Sequence, residues 1–83
     1  MLMRVIVKGG ESLAFRASDV AAVRSYEHVA MPQKATIHFE RSHPLSGCWV
    51  IEEVRTRRDG WRANPTQECI VQTIEDFQRG TSE

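Results

Sequence analysis

The chain of 83 residues has little of what small domains commonly lean on. Its two cysteines, Cys48 and Cys69, are too few for a disulfide framework and lack the Cys-x2-Cys spacing of a redox or zinc motif. They read as two reduced thiols, with one Cys48–Cys69 bridge left open. The histidines His28, His38 and His43 are not at metal-ligand spacing. Gly9-Gly10 is not followed by the Lys-Ser/Thr and helix of a phosphate loop. Ser42, Ser46 and Cys48 have no nucleophile-elbow context, and the neighbours Glu52 and Glu53 point to opposite faces of a strand. No acid–base pair, nucleophile, metal or cofactor is expected, so the chain reads as a non-enzymatic protein.

Lysine is nearly absent too, at positions 8 and 34 alone, and arginine carries most of the positive charge. Basic and acidic residues balance, so the global field gives no general pull toward nucleic acid; anion binding has to be local. No apolar run approaches the length of a membrane span, and the segment 1–7 is short and holds Arg4. A cytoplasmic protein with no membrane partner is expected. One domain over 1–83 fits the length. Single cores this small rarely supply more than about 3–5 kcal/mol. With no disulfide or metal to help, a homo-oligomer is the expected supplement, and Trp49 and Trp61 are large to bury in one small core. At least one of them is expected at a subunit contact or ligand pocket.

The pattern is that of an α+β domain: a small curved antiparallel sheet of about five strands with one C-terminal helix packed on it. Met1–Lys8 and Ser12–Arg16 are short β-rich runs around a glycine pair, which signals a hairpin. A three-residue loop, Gly9 to Glu11, sets Val7 opposite Leu13 and Val5 opposite Phe15. Met3, Val5, Val7, Leu13 and Phe15 then share the buried face. Ala17–Val20 reads as a turn or a short helix capped by Ser18. A strand near Ala22–Glu27, a loop at His28–Gln33 around Pro32, and a strand from Lys34 to Arg41 follow. After the Pro44/Gly47 connection, Cys48–Arg57 is a strand apolar on both faces at its start. Asp59-Gly60 turns it into a short return, Trp61–Ala63. Asn64 as cap, Pro65 at the first helical position and Gln67 closing a capping box predict a helix over about 65–79. It lays Ile70, Ile74 and Phe77 on the sheet. Gly80 ends it, and 80–83 is a frayed tail.

Residues Gly10–Val23, with Val20 and Val23 as an apolar pair after a polar turn, resemble the opening of the short FlbD-like flagellar proteins. Trp61–Ile70 looks like their closing strand-to-helix junction. The likeness covers about half the chain, and 42–60 departs from it as an inserted hairpin. It implies a small sheet-plus-helix regulatory module that docks a partner protein, and it transfers no site residues.

The segment that could carry chemistry is Arg55-Thr-Arg57-Arg58-Asp-Gly-Trp61-Arg62, four arginines and a tryptophan within eight residues. Guanidinium groups grip phosphate bidentately and an indole offers a face for a base. If a hairpin turn projects them together, Arg55, Arg57, Arg58 and Arg62 hold phosphates while Trp61 or Tyr26 stacks. This reading is a small binding protein for a nucleotide or another phosphorylated small molecule, of the sort a phage could encode to sequester nucleotide signals. The bland alternative is a solvated hairpin whose arginines pair with Glu52, Glu53 and Asp59. An interface with another protein chain is the third, since Trp and Arg anchor such contacts.

Overall fold

The structure, a computed structural model, describes residues 2–28 and 31–81, and of residues 26–28, 31–33 and 81 the backbone alone. Short β-branched runs separated by glycine turns give six strands: β1 (Met3–Val7), β2 (Ser12–Phe15), β3 (Val20–His28), β4 (Met31–Phe39), β5 (Gly47–Thr56) and β6 (Gly60–Ala63). A helix, α1 (Gln67–Thr81), closes the described chain. The strands form one open antiparallel sheet in the order β2-β1-β5-β4-β3, with β6 also paired to β5, and α1 packs on it. The α+β architecture expected from the sequence is therefore the observed one, with one strand more.

The long strand β5 organises the sheet. Its first half pairs with β4 through Ile37↔Trp49 and Phe39↔Gly47. Its second half pairs with β1 through Val5↔Val54 and Val7↔Ile51, and with β6 from Glu53↔Ala63 to Thr56↔Gly60. A strand has two edges, so β4 and β6 must follow one another along the edge that β1 leaves free. The inward positions Met3, Val5, Val7, Leu13, Phe15, Ala35, Ile37, Phe39, Ile51 and Val54 are buried, and Ile70 and Phe77 of α1 complete this core. Phe15 meets Phe39 edge-on, with ring centroids 4.9 Å apart. Trp49 is half-buried, its indole N–H donating to the Leu45 carbonyl at 2.8 Å.

Several expectations are corrected in detail. The first hairpin has the expected buried face, but Met3 pairs with Phe15 and Val5 with Leu13, a shift of two residues. The loop is Lys8–Gly10, closed by Val7 N–H to Glu11 O and Gly10 N–H to Val7 O, both 2.9 Å. Gly9 and Gly10 take positive φ, at 100° and 86°, inside this loop. Ala17–Asp19 is a single 3-10 turn with no side-chain cap, so Ser18 does not cap it. His28 and Met31–Gln33 belong to strands rather than to a loop; Val29 and Ala30 lie outside the described residues. Pro32 is accommodated where the register shifts between Tyr26/Lys34 and His28/Met31, a bulge that needs no ladder N–H from it.

The helix starts two residues later than its sequence signals. Asn64 adopts φ 47°, a left-handed corner ending β6, and its N–H donates to Glu52 O at 2.7 Å. Thr66 is the cap instead, its Oγ1 accepting from the Cys69 N–H at 3.1 Å. Gly80 does not stop the helix, which continues to Thr81. Ile70, Thr73 and Phe77 form its buried face, with Ile74 half-buried beside them. Cys48 is exposed and Cys69 half-buried, both free thiols, so no bridge ties helix to sheet. No helix among the described residues is long and apolar enough to cross a membrane.

Candidate functional site

The β5–β6 hairpin turns through Arg57, Arg58 and Asp59. Thr56 holds it shut: its hydroxyl accepts from the Asp59 N–H at 2.9 Å and donates to the Gly60 carbonyl at 3.0 Å. Gly60 takes φ 74° at the end of the turn, where a Cβ would be strained. The register then decides which side chains share a face. Arg55 stands opposite Trp61, and Val54 opposite Arg62. Because side chains alternate along a strand, Arg55 and Trp61 look away from the core, while Arg62 shares the helix side with buried Val54.

The four arginines therefore part company, and the expected single convergent surface is corrected. Arg57 folds back on α1: its Nη1 donates to the Asp76 carbonyl at 3.1 Å and its guanidinium lies 5.9 Å from the Phe77 ring centroid. There it caps the Asp76 carbonyl in the C-terminal half of the helix. It belongs to the fold rather than to a ligand site. Arg55 and Trp61 lie on the outer face, with Trp61 42% exposed. The Tyr26 side chain lies outside the described residues, so its proposed stacking role has no geometry attached.

Arg58 and Arg62 do meet, in a cleft of about 470 Å³ between the hairpin turn and α1. Thr56 and Asp59 of the turn line it too, and from the helix Cys69, Gln72, Thr73, Asp76 and Arg79. Asp76 is already engaged, its Oδ1 accepting from Arg79 Nη2 at 2.6 Å and from Gln72 Nε2 at 3.0 Å. Arg62 Nη1 comes within 3.9 Å of Cys69 Sγ, a weak contact. Of the carboxylates expected to neutralise the hairpin, Glu52 instead pairs with Lys34 at 2.7 Å, on a lysine whose side chain is 10% exposed, while Glu53 and Asp59 lie on the hairpin but make no ion pair with its arginines. Among the described residues no ion pair involves Arg55, Arg58 or Arg62. Arg79 was not legible as a site residue, because its place beside the hairpin depends on how α1 crosses the sheet.

One other polar cluster has a settled role. His43 stacks on Phe39 with centroids 4.8 Å apart, accepts the Leu45 N–H at Nδ1 (3.0 Å) and meets Asp19 Oδ2 through Nε2 (3.1 Å). Both ring nitrogens are occupied, so the pair closes a turn and leaves no nitrogen for proton transfer to a substrate. Among the described residues no group of histidine, cysteine and acidic side chains could hold a metal ion.

Comparison with protein-family models, with curated proteins and with solved structures finds no match to this chain. None of the three bears on the FlbD-like resemblance.

Proposed function

We propose that this is a small non-enzymatic binding protein that captures an anionic, nucleotide-type ligand by its phosphate groups in the cleft between the β5–β6 turn and α1. The observation that carries the reading is the pair Arg58 and Arg62 lining one concave site, neither with a carboxylate partner among the described residues. A cleft of this size is in the range of small-ligand sites, roughly 300–1,000 Å³. Its lining is polar, so recognition rests on charge and hydrogen bonds: two guanidinium forks for phosphate oxygens. The Gln72 and Thr73 side chains flank them, and no aromatic ring lines the cleft. Trp61 lies on the far face and has no part in this site. A homo-oligomer belongs to the same reading, because a neighbouring copy could wall the open side of the cleft and supply a stacking group.

The test is calorimetric titration with pyrophosphate and with cyclic and linear nucleotides. A saturable heat is expected, weakened about 10- to 150-fold in Arg58→Ala or Arg62→Ala, the cost of a hydrogen bond to a charged group. Absence of saturable binding by any phosphorylated compound, or binding that both variants leave intact, overturns the reading.

A further inference from the structure

The face of the sheet turned away from α1 carries a row that the sequence does not display as one motif. In β1, Arg4 pairs with Ala14 of β2. The β1–β5 register runs Ile6↔Glu53 and Val5↔Val54, and one step further it brings Arg4 alongside Arg55. Arg55 in turn pairs with Trp61. Three adjacent strands thus present Arg4, Arg55 and Trp61 in line, and at about 4.8 Å between strands the row spans about 10 Å. Both arginines are exposed and Trp61 is 42% exposed. Arg16, one position beyond β2 and exposed, extends the same face. Among β1, β2, β5 and β6, the carboxylates that alternation puts on this side are Glu53 and, at the β5 bulge, Glu52, which is held by Lys34.

Two features of the row call for an occupant. Like charges side by side on neighbouring strands destabilise a sheet, and no ion pair among the described residues relieves Arg4 or Arg55. The chain also leaves a tryptophan in water, although its small core could use the area. The contrast with Trp49, packed and hydrogen-bonded, is direct. The net charge of zero conceals this segregation of cations on the face opposite α1.

We infer that this face binds single-stranded nucleic acid, with a base stacked on the Trp61 indole and the adjoining phosphates taken by Arg55 and Arg4. An open sheet with an exposed ring flanked by guanidinium groups suits splayed bases, whose faces a duplex keeps hidden in its own stack. Its few cations make the binding local, with a modest salt slope of about 0.7 for each phosphate contact.

The experiment is fluorescence anisotropy of a labelled oligothymidylate of about 16 nucleotides at about 50 mM salt. The expected result is saturable binding with quenching of tryptophan emission. Trp61→Ala weakens it about 5- to 150-fold, the range for one lost base–aromatic stack, while Trp61→Phe retains most of it. The double variant Arg4→Ala/Arg55→Ala lowers affinity and flattens the salt slope by about 1.4, two phosphate contacts at about 0.7 each. Arg58→Ala/Arg62→Ala leaves oligonucleotide binding unchanged, which separates this face from the cleft. No saturable signal overturns the inference, as does binding that survives the Trp61→Ala/Arg4→Ala/Arg55→Ala triple variant with a native circular dichroism spectrum. Displacement by duplex of the same length overturns it. So does self-association lost in Trp61→Ala without any oligonucleotide binding, which assigns the face to a second copy of the chain.

Discussion

The guanidinium of Arg57 fills the space in which any residue but glycine at position 80 would place its Cβ. This close approach couples the tip of the β5–β6 hairpin to the last turn of α1, together with the Arg57 bond to the Asp76 carbonyl. Gly80 is not a helix stop but a clearance: its backbone is helical, and the missing side chain makes room.

Gly80→Ala should therefore behave differently in two backgrounds. Alanine improves helix propensity by up to about 1 kcal/mol. In an Arg57→Ala background that gain should be realised in urea denaturation. With Arg57 present, the methyl displaces the guanidinium and the gain shrinks or reverses. A double-mutant cycle should return a coupling of at least about 0.5 kcal/mol, and additivity of the two changes contradicts the clearance.

The helix cap offers a comparison of two residues that the sequence ranks in the wrong order. Thr66→Ala should cost about 1 kcal/mol, the usual loss of an N-cap. Asn64→Gly should be neutral or stabilising, because glycine relieves a left-handed φ of 47°. Thermal melts of the two variants check this, and the opposite order refutes the assignment of the cap.

Core truncation should be severe. Phe77 is 5% exposed and joins α1 to the sheet core. Phe77→Ala costs about 3–5 kcal/mol, comparable to the whole stability of about 3–5 kcal/mol expected of a core this size. The variant should show lost near-ultraviolet dichroism at 25 °C, while Val71→Ala, on the exposed side of the same helix, should change stability by less than about 0.5 kcal/mol.

The bonds of His43 fix its tautomer. A ring that accepts the Leu45 N–H at Nδ1 carries its proton on Nε2 when neutral, facing Asp19. Long-range ¹⁵N–¹H correlation should show Nε2 protonated and Nδ1 bare. His43→Phe keeps the stack on Phe39 but strands the Leu45 N–H, at a cost of about 1 kcal/mol.

What could be read from the sequence was parity; what escaped it was register. Met3, Val5, Val7, Leu13 and Phe15 share one buried face in sequence and structure alike, because alternation depends on odd and even positions alone. A slip of two residues leaves that face unchanged, so hydrophobicity could not choose between loops Gly9–Glu11 and Lys8–Gly10. The choice is made by the backbone bond from the Val7 N–H to the Glu11 carbonyl, which no pattern of side chains displays. Likewise Asn64-Pro65 carries every local mark of a helix start, and tertiary closure of β6 on Glu52 overrides it. The site divides the same way. Local clustering singled out Arg55 to Arg62, but which guanidinium meets which face follows from the Arg55↔Trp61 pairing and from α1. Arg4 and Arg79 lie too far along the chain for any local window to join them to it.

The strand β5 is shared by every ladder except the two outer hairpins, β1–β2 and β3–β4. Loss of that one segment separates the molecule into two hairpins that cannot survive alone. Its central amides should thus exchange with solvent only through whole-molecule unfolding, setting the ceiling of protection. The arginine hairpin is the far end of the same segment, so an anion gripped there would slow hydrogen exchange throughout the protein.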